Sequence, residues 1–385
     1  MKRRSFLKKS ATVGVSTIAA TALVGCGSES SDETAQSGGA PAVKTKKAVR
    51  KLKMVTTWPK NFPGLGTRAA QFANDIKIAT NGSIDIRVYA ADELVPAFGA
   101  FDAVSSGNAD IYHGPDYYWQ GKHPMFTFFG AVPFGLTATE MTQWLEYGGG
   151  QELWDELAAG FNIKPLIANA TGIQMGGWFK KEINSVEDFK GLKMRIPGLG
   201  GEILKQLGAT PVTLSGGEIF LSLSQGNIDA SEWIGPWNDL AFGFYKITPY
   251  YYTSAFHEPS ASVTAGFNLD VWNSFDEAEQ AIIKALAAKH YSFSLAEFNA
   301  RNAYALRSLV QEHGVQLRQF SPEIMKTLID TAAGVVRNIG MTDDISKRIY
   351  NSYMETLSAA KEWSAVADEP FIAARRLSDT FGAKI

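Results

Sequence analysis

The sequence predicts a two-lobed α/β protein, and three observations predict it. From 191 to 239, short apolar runs alternate with helix-spaced segments in the order strand, helix, strand, helix, strand. A second βαβαβ run covers residues 52–112. About 335 residues follow the N-terminal leader and linker, more than one core usually organises. Such alternation builds parallel sheets, whose ligands bind beyond the carboxyl ends of the strands.

In the first lobe, residues 52–57 alternate, are rich in β-formers and end at Trp58-Pro59. A helix over 67–80 puts Phe72, Ile76 and Ala79 on one face, and Asn81-Gly82 turns the chain into a strand at 84–89. A helix at 97–106 and a strand at 109–112 complete the unit. The loop after Tyr112 carries Pro115, Tyr117, Tyr118, Trp119 and His123. Aromatics that dense can line a cleft or pack a lobe; Tyr118 and Trp58 are the candidates for ligand contact. Residues 141–158 read as one helix, and 164–169 and 174–179 as strands.

The second lobe begins with a short run, Met194-Arg195-Ile196, stopped by Pro197-Gly198. Arg195 therefore sits at a strand end, where its planar fork of five donors suits bidentate capture of a carboxylate. A helix at 201–207 ends at Gly208. Then come a strand at 212–214, a helix at 217–223 and a strand at 228–234 carrying Glu232 beside Trp233. Ser185-Val186-Glu187-Asp188 resembles a capping box and is structural. Residues 254–267 return the chain to the first lobe. Glu258 precedes Pro259, which favours extended backbone; its carboxylate either points into the cleft or is an ordinary exposed one.

A long helix over 276–311 can span both lobes, followed by a strand at 315–320. Ser321-Pro322-Glu323 caps another helix, a further one runs over 343–365, and 368–385 reads as a loosely ordered amphipathic tail.

At the N-terminus, Arg3-Arg4-Ser5-Phe6-Leu7-Lys8 precedes an apolar stretch at 11–24 too short to span a membrane, the pattern of a twin-arginine export signal. Leu23-Val24-Gly25-Cys26 reads as a lipoprotein processing box with Cys26 as the lipidated residue; an incidental cysteine behind a simple signal is the alternative. Residues 28–47 lack apolar periodicity and read as a disordered tether. The expected division is signal 1–25, tether 26–48, first lobe 49–172 plus 266–320, second lobe 173–265, and C-terminal helices 321–385.

Composition excludes several classes. The leader holds five basic residues, so its removal takes the formal net charge from −2 to −7. A mildly acidic body without a basic cluster is no nucleic-acid binder. Cys26 is the single cysteine, which leaves the body no disulfide, thiolate site or iron–sulfur cluster. An enzyme reading would use Asp229 and Glu232 as an acid–base pair. Three residues apart, they face opposite sides of a strand, and no nucleophile elbow, His-Glu-x-x-His or phosphate loop is present.

Lys193-Met194-Arg195-Ile196-Pro197, the Gly-Ala-Thr-Pro run at 208–211 and Gln225-Gly226-Asn227-Ile228-Asp229 resemble the solute-binding subunits of TRAP transporters. The resemblance covers roughly residues 49–365, and Gln174 with Glu232-Trp233 points to the branch that binds 2-oxo or 2-hydroxy acids with a metal ion. It implies a periplasmic-binding-protein fold of type II-like architecture and a non-enzymatic carrier of a small organic monocarboxylate such as pyruvate, 2-oxobutyrate or lactate. It further implies a periplasmic location, a permease of small and large membrane subunits as partner, and a C-terminal helix able to mediate a swapped homodimer. A ligand-binding sensor that signals to a membrane receptor is the alternative.

In that layout Arg195 binds the carboxylate and Gln174 orients it. Glu232, Glu258, Gln174 and the Trp233 backbone carbonyl hold the cation. An all-oxygen shell favours Na⁺ or Ca²⁺, and two carboxylates leave that choice open with a lean to Ca²⁺. The cation also makes two glutamates compatible with an anionic ligand.

Overall fold

Two β-sheets organise the described residues, 48–253 and 255–377 of the computed structural model. The leader, most of the tether and Cys26 lie outside them. The strands are β1 (Arg50–Thr56), β2 (Ile84–Tyr89), β3 (Ile111–Gly114), β4 (Ile163–Ala170), β5 (Gly177–Phe179), β6 (Lys193–Arg195), β7 (Thr210–Val212), β8 (Ala230–Ser231), β9 (Tyr250–Thr253), β10 (Ser262–Asn268) and β11 (Gln316–Gln319). The first sheet runs β2-β1-β3-β10-β4 and the second β11-β9-β5-β8-β6-β7.

The first lobe follows the expected βαβαβ order, with β1 parallel to both β2 and β3. Returning chain then adds β10 antiparallel to β3 and β4. In the second lobe β6 is parallel to β7 and β8 as predicted, but β5 runs antiparallel to β8 and β9. The sheet is therefore mixed. β11, expected with the first lobe, pairs with β9 in the second sheet.

Several elements differ from the sequence reading, and three of them do so for a local reason. The helix at 141–158 is two helices, Ala138–Tyr147 and Gly150–Ala159, because Gly149 takes φ 76° between them. The strand at 174–179 shrinks to Gly177–Phe179, because the N–H groups of Gln174 and Met175 donate instead to the Glu258 and Ile234 carbonyls. The strand at 228–234 shrinks to Ala230–Ser231, because Pro236 opens the helix Pro236–Phe242 and Asp239 Oδ1 accepts from Ile234 N–H at 3.3 Å.

The chain passes between the sheets at 171–176 and 255–261, and these passages pair. Ala261 N–H donates to Thr171 Oγ1 at 2.9 Å, and Gln174 N–H to the Glu258 carbonyl at 3.3 Å. The helix Glu277–Gln311, capped by Asp276, is 35 residues and about 52 Å long. It grips the first lobe through the Arg68–Glu297 ion pair at 2.6 Å. It grips the second through Asn302 Oδ1, which accepts from Trp237 N–H at 3.0 Å. The helices Pro322–Gly340 and Asp344–Val366 follow. Buried Ile324, Leu328, Ile349 and Tyr353 bring them into one core with Phe128, Trp144 and Ile203 of the two lobes. Residues 368–375, read as part of a loose tail, form the helix Asp368–Arg375 with no buried residue.

Candidate functional site

Arg195, the last residue of β6, is 1% exposed. The ladder continues one residue beyond each end of β8: Asp229 N–H donates to the Lys193 carbonyl at 2.7 Å and Glu232 N–H to the Arg195 carbonyl at 3.1 Å. That register puts the Arg195 guanidinium against Glu232. Nε–H donates to the Leu214 carbonyl at 3.1 Å, and Nη1 donates to the Glu232 carbonyl at 3.2 Å and to its Oε1. Nη2 donates to Tyr118 Oη at 3.3 Å. Four of the five donors are thus engaged, and one Nη2 hydrogen remains. Trp233 stacks under the guanidinium, 5.0 Å from ring centroid to Cζ. Burial is the largest influence and opposes the charge, yet Glu232, Tyr118, Tyr117 and Glu258 together outweigh it and the pKa of Arg195 rises.

A second cluster adjoins the first. Gln174 Nε2 donates to Glu258 Oε2 at 2.6 Å, and Tyr117 O–H donates to the same oxygen at 3.4 Å. His257 Nε2 lies 3.3 Å from Glu232 Oε2. Glu232, His257 and Glu258 are all buried and offer ligand atoms within 4.8 Å of one another. Burial, reinforced by the Glu232 charge, pushes the Glu258 carboxyl well above the ordinary carboxylate range. That is the behaviour of two like charges sharing a dry site. Gln174 Oε1 is buried and has no hydrogen-bond partner. An unpaired amide oxygen beside two carboxylates is a donor set for a hard cation, so the residues fit Na⁺ or Ca²⁺.

Between the lobes lies a narrow cavity of about 10 Å³, room for little more than one water molecule. Arg195, Gln174, Tyr118 and Thr171 form its polar side; Trp58, Leu65 and Val263 are among its apolar lining. Burial pushes the Tyr118 hydroxyl up to about 12, so it stays a donor. The sequence-named residues Trp58, Tyr118, Gln174, Arg195 and Trp233 all line this cavity, with Glu232 and Glu258 hydrogen-bonded to two of them. Glu258 is 3% exposed, which removes the reading of an ordinary surface glutamate.

Tyr117, Thr171 and His257 were missed. His257 adjoins Glu258 in the returning passage and enters the site only because the two inter-lobe passages pair, which no local pattern announces. Thr171 enters the site through the same pairing.

Comparison with known proteins places the chain in one family. The family described as bacterial extracellular solute-binding protein, family 7 (DctP) matches residues 54–343. A monocarboxylate 2-oxoacid-binding periplasmic protein of Nostoc sp. is 37% identical over 366 residues, 95% of this chain and 96% of that one. A TRAP periplasmic solute-binding protein of Pseudoalteromonas atlantica, solved with bound sodium and pyruvate, superposes with TM-score 0.82 at 35% identity, covering 85% of this chain and 99% of its own. A TRAP solute-binding protein of Bordetella bronchiseptica, a mixed-occupancy dimer with calcium and picolinate in one active site, superposes with TM-score 0.83 at 34% identity over 86% of this chain and 100% of its own. With a family match across most of the described body, two lobes around a buried arginine and an oxygen-rich cluster, the chain belongs to the DctP family of TRAP-transporter periplasmic solute-binding proteins.

Proposed function

We propose that the protein captures a small 2-oxo or 2-hydroxy monocarboxylate together with Na⁺ or Ca²⁺ and delivers it to a TRAP permease of small and large membrane subunits. One observation carries this reading: a buried arginine with an unspent donor and an unpaired amide oxygen line the same cavity, and each side chain is hydrogen-bonded to a buried glutamate of one metal-binding cluster. The ligand carboxylate takes the last Nη2 hydrogen of Arg195 and the Tyr118 O–H. Glu232, Glu258, Gln174 Oε1 and the Trp233 carbonyl hold the cation, which screens the ligand's charge from the glutamates. His257 joins that set as a nitrogen donor or as a partner that orients Glu232. The family supplies a binding component, not an enzyme. The lobes close on the ligand about the paired passages.

Three further assignments rest on the sequence or on an exposed surface. Export follows the twin-arginine route, and Cys26 carries the lipid anchor; palmitate labelling lost in Cys26→Ser tests this. Trp363, Val366 and Phe371 leave apolar surface exposed on the last helices, which supports a homodimer through this segment. Sedimentation equilibrium with and without residues 367–385 checks it.

A thermal-shift screen of the body from 48 onward tests the central reading. Stripped with EDTA in sodium-free buffer, the protein should show no stabilisation by pyruvate, 2-oxobutyrate or lactate. Restoring Na⁺ or Ca²⁺ should produce about 3 kcal/mol at a hundredfold excess over Kd. A dicarboxylate or sugar acid that binds irrespective of EDTA would replace this ligand class and leave Arg195 in place.

A further inference from the structure

We infer that His113, a residue outside the cavity, sets the size of acid the site accepts by holding the Trp58 indole in its wall. The inference rests on the ligand class proposed above. Trp58 follows β1 and is 2% exposed. Its backbone is fixed, since its carbonyl accepts from Ala91 N–H at 2.8 Å. The side chain can still rotate about two torsions, and its one polar tether is the Nε1–H, which donates to His113 Nδ1 at 2.8 Å. On the other side the Trp58 ring meets Trp233 edge-on at 6.3 Å, and Trp233 carries the Arg195 guanidinium. Trp58 thus bridges first-lobe backbone to the second-lobe binding residues, and its face is part of the apolar wall of the cavity.

His113 is suited to this task by its own position. It lies in β3 between β1 and β10, with Thr56 and Ala265 as register partners, and is 1% exposed. Burial drives its pKa down to about 3. The ring is therefore neutral, and accepting at Nδ1 assigns the proton to Nε2. A fixed, uncharged acceptor on a central strand is a rigid post for an indole N–H. With the post in place, the Trp58 face holds the wall against the carboxylate-binding end of the cavity and favours a short tail. Without it, the indole can turn aside and admit a branched one.

The test uses pyruvate and 2-oxoisocaproate, titrated calorimetrically with the cation present. Wild-type protein should prefer pyruvate. His113→Phe should weaken pyruvate roughly three- to tenfold, the loss of one hydrogen bond, and move the pyruvate-to-2-oxoisocaproate ratio by about tenfold toward the branched acid. His113→Asn places an amide oxygen where Nδ1 stood and should restore the wild-type ratio. Trp58→Phe, which lacks the N–H, should reproduce the ratio of His113→Phe. The indole N–H resonance of Trp58 should lose exchange protection in His113→Phe and keep it in His113→Asn. An unchanged ratio in His113→Phe, or equal weakening of both acids, would overturn the inference and leave His113 a packing residue. If wild-type protein binds neither acid, the underlying ligand class fails instead.

Discussion

Gln174 and Glu258, 84 residues apart in sequence, share a 2.6 Å hydrogen bond at the point where the two inter-lobe passages touch. The bond spends the Gln174 amide nitrogen on Glu258 and turns its oxygen toward the same space as the carboxylates. Glu258→Gln keeps the shape and removes one charge from the cation site. Calcium affinity should fall at least about tenfold and sodium affinity less, because ligand charge tunes affinity for the doubly charged ion more strongly. Calorimetry with each cation decides it; equal losses would mean that Glu258 is not a ligand.

Arg195 and Glu232 form an ion pair with both side chains about 1% exposed. Removing one partner of such a pair costs about 3–5 kcal/mol, since the other charge stays buried alone. Arg195→Ala should therefore lose both acid binding and melting temperature. Arg195→Lys keeps the charge without the planar fork. It should melt closer to wild type yet bind the acid at least about tenfold more weakly. Wild-type affinity in the lysine variant would dismiss the arginine as the carboxylate site.

Asp116 is fully buried, accepting from Tyr112 O–H at 2.9 Å and Trp154 Nε1–H at 2.9 Å. Burial raises its pKa from 3.8 to about 7. The folded state thus holds a proton that the unfolded chain releases near pH 4. Its contribution to stability is full below pH 3.8 and is lost as pH rises through about 7. Asp116→Asn should flatten part of the decline in melting temperature from pH 4.5 to 8. Parallel curves for variant and wild type would show that Asp116 titrates normally.

Gly266 of β10 faces the Tyr112 ring so closely that an added Cβ would stand 2.1 Å from Cε1. Gly266→Ala should destabilise the protein by about 1–3 kcal/mol through overpacking. Gly334, inside the helix Pro322–Gly340, has open space at that position. Gly334→Ala should instead stabilise by about 0.5–1 kcal/mol. Denaturant unfolding of both variants checks the pair of signs.

Residues whose neighbours in sequence fix their geometry were readable in advance. Arg195 stands at a strand end defined by Pro197 and Gly198, and Glu232 lies across from it by strand register. The long helix was legible to within a residue because its apolar spacing and Asp276 cap are local signals. The antiparallel placement of β5, the transfer of β11 to the second sheet and the role of His257 depend on chain segments far apart in sequence. Local patterning carries no information about such pairings. Trp58 was legible as a cavity residue; the histidine behind it was not, because a single His on a β-rich run gives no sign of what its ring will meet.

The helix Glu277–Gln311 is fastened to one lobe at Glu297 and to the other at Asn302, five residues on, a rise of about 7.5 Å. Any rotation of one lobe against the other must bend the rod inside that interval of less than two turns. Bending lengthens helical hydrogen bonds on the outer side of the curve. The amide hydrogens of Phe298–Asn302 consequently become a local gauge of lobe movement. Their exchange with solvent should slow when ligand and cation lock the lobes, while the same helix nearer Ile283 keeps a constant rate.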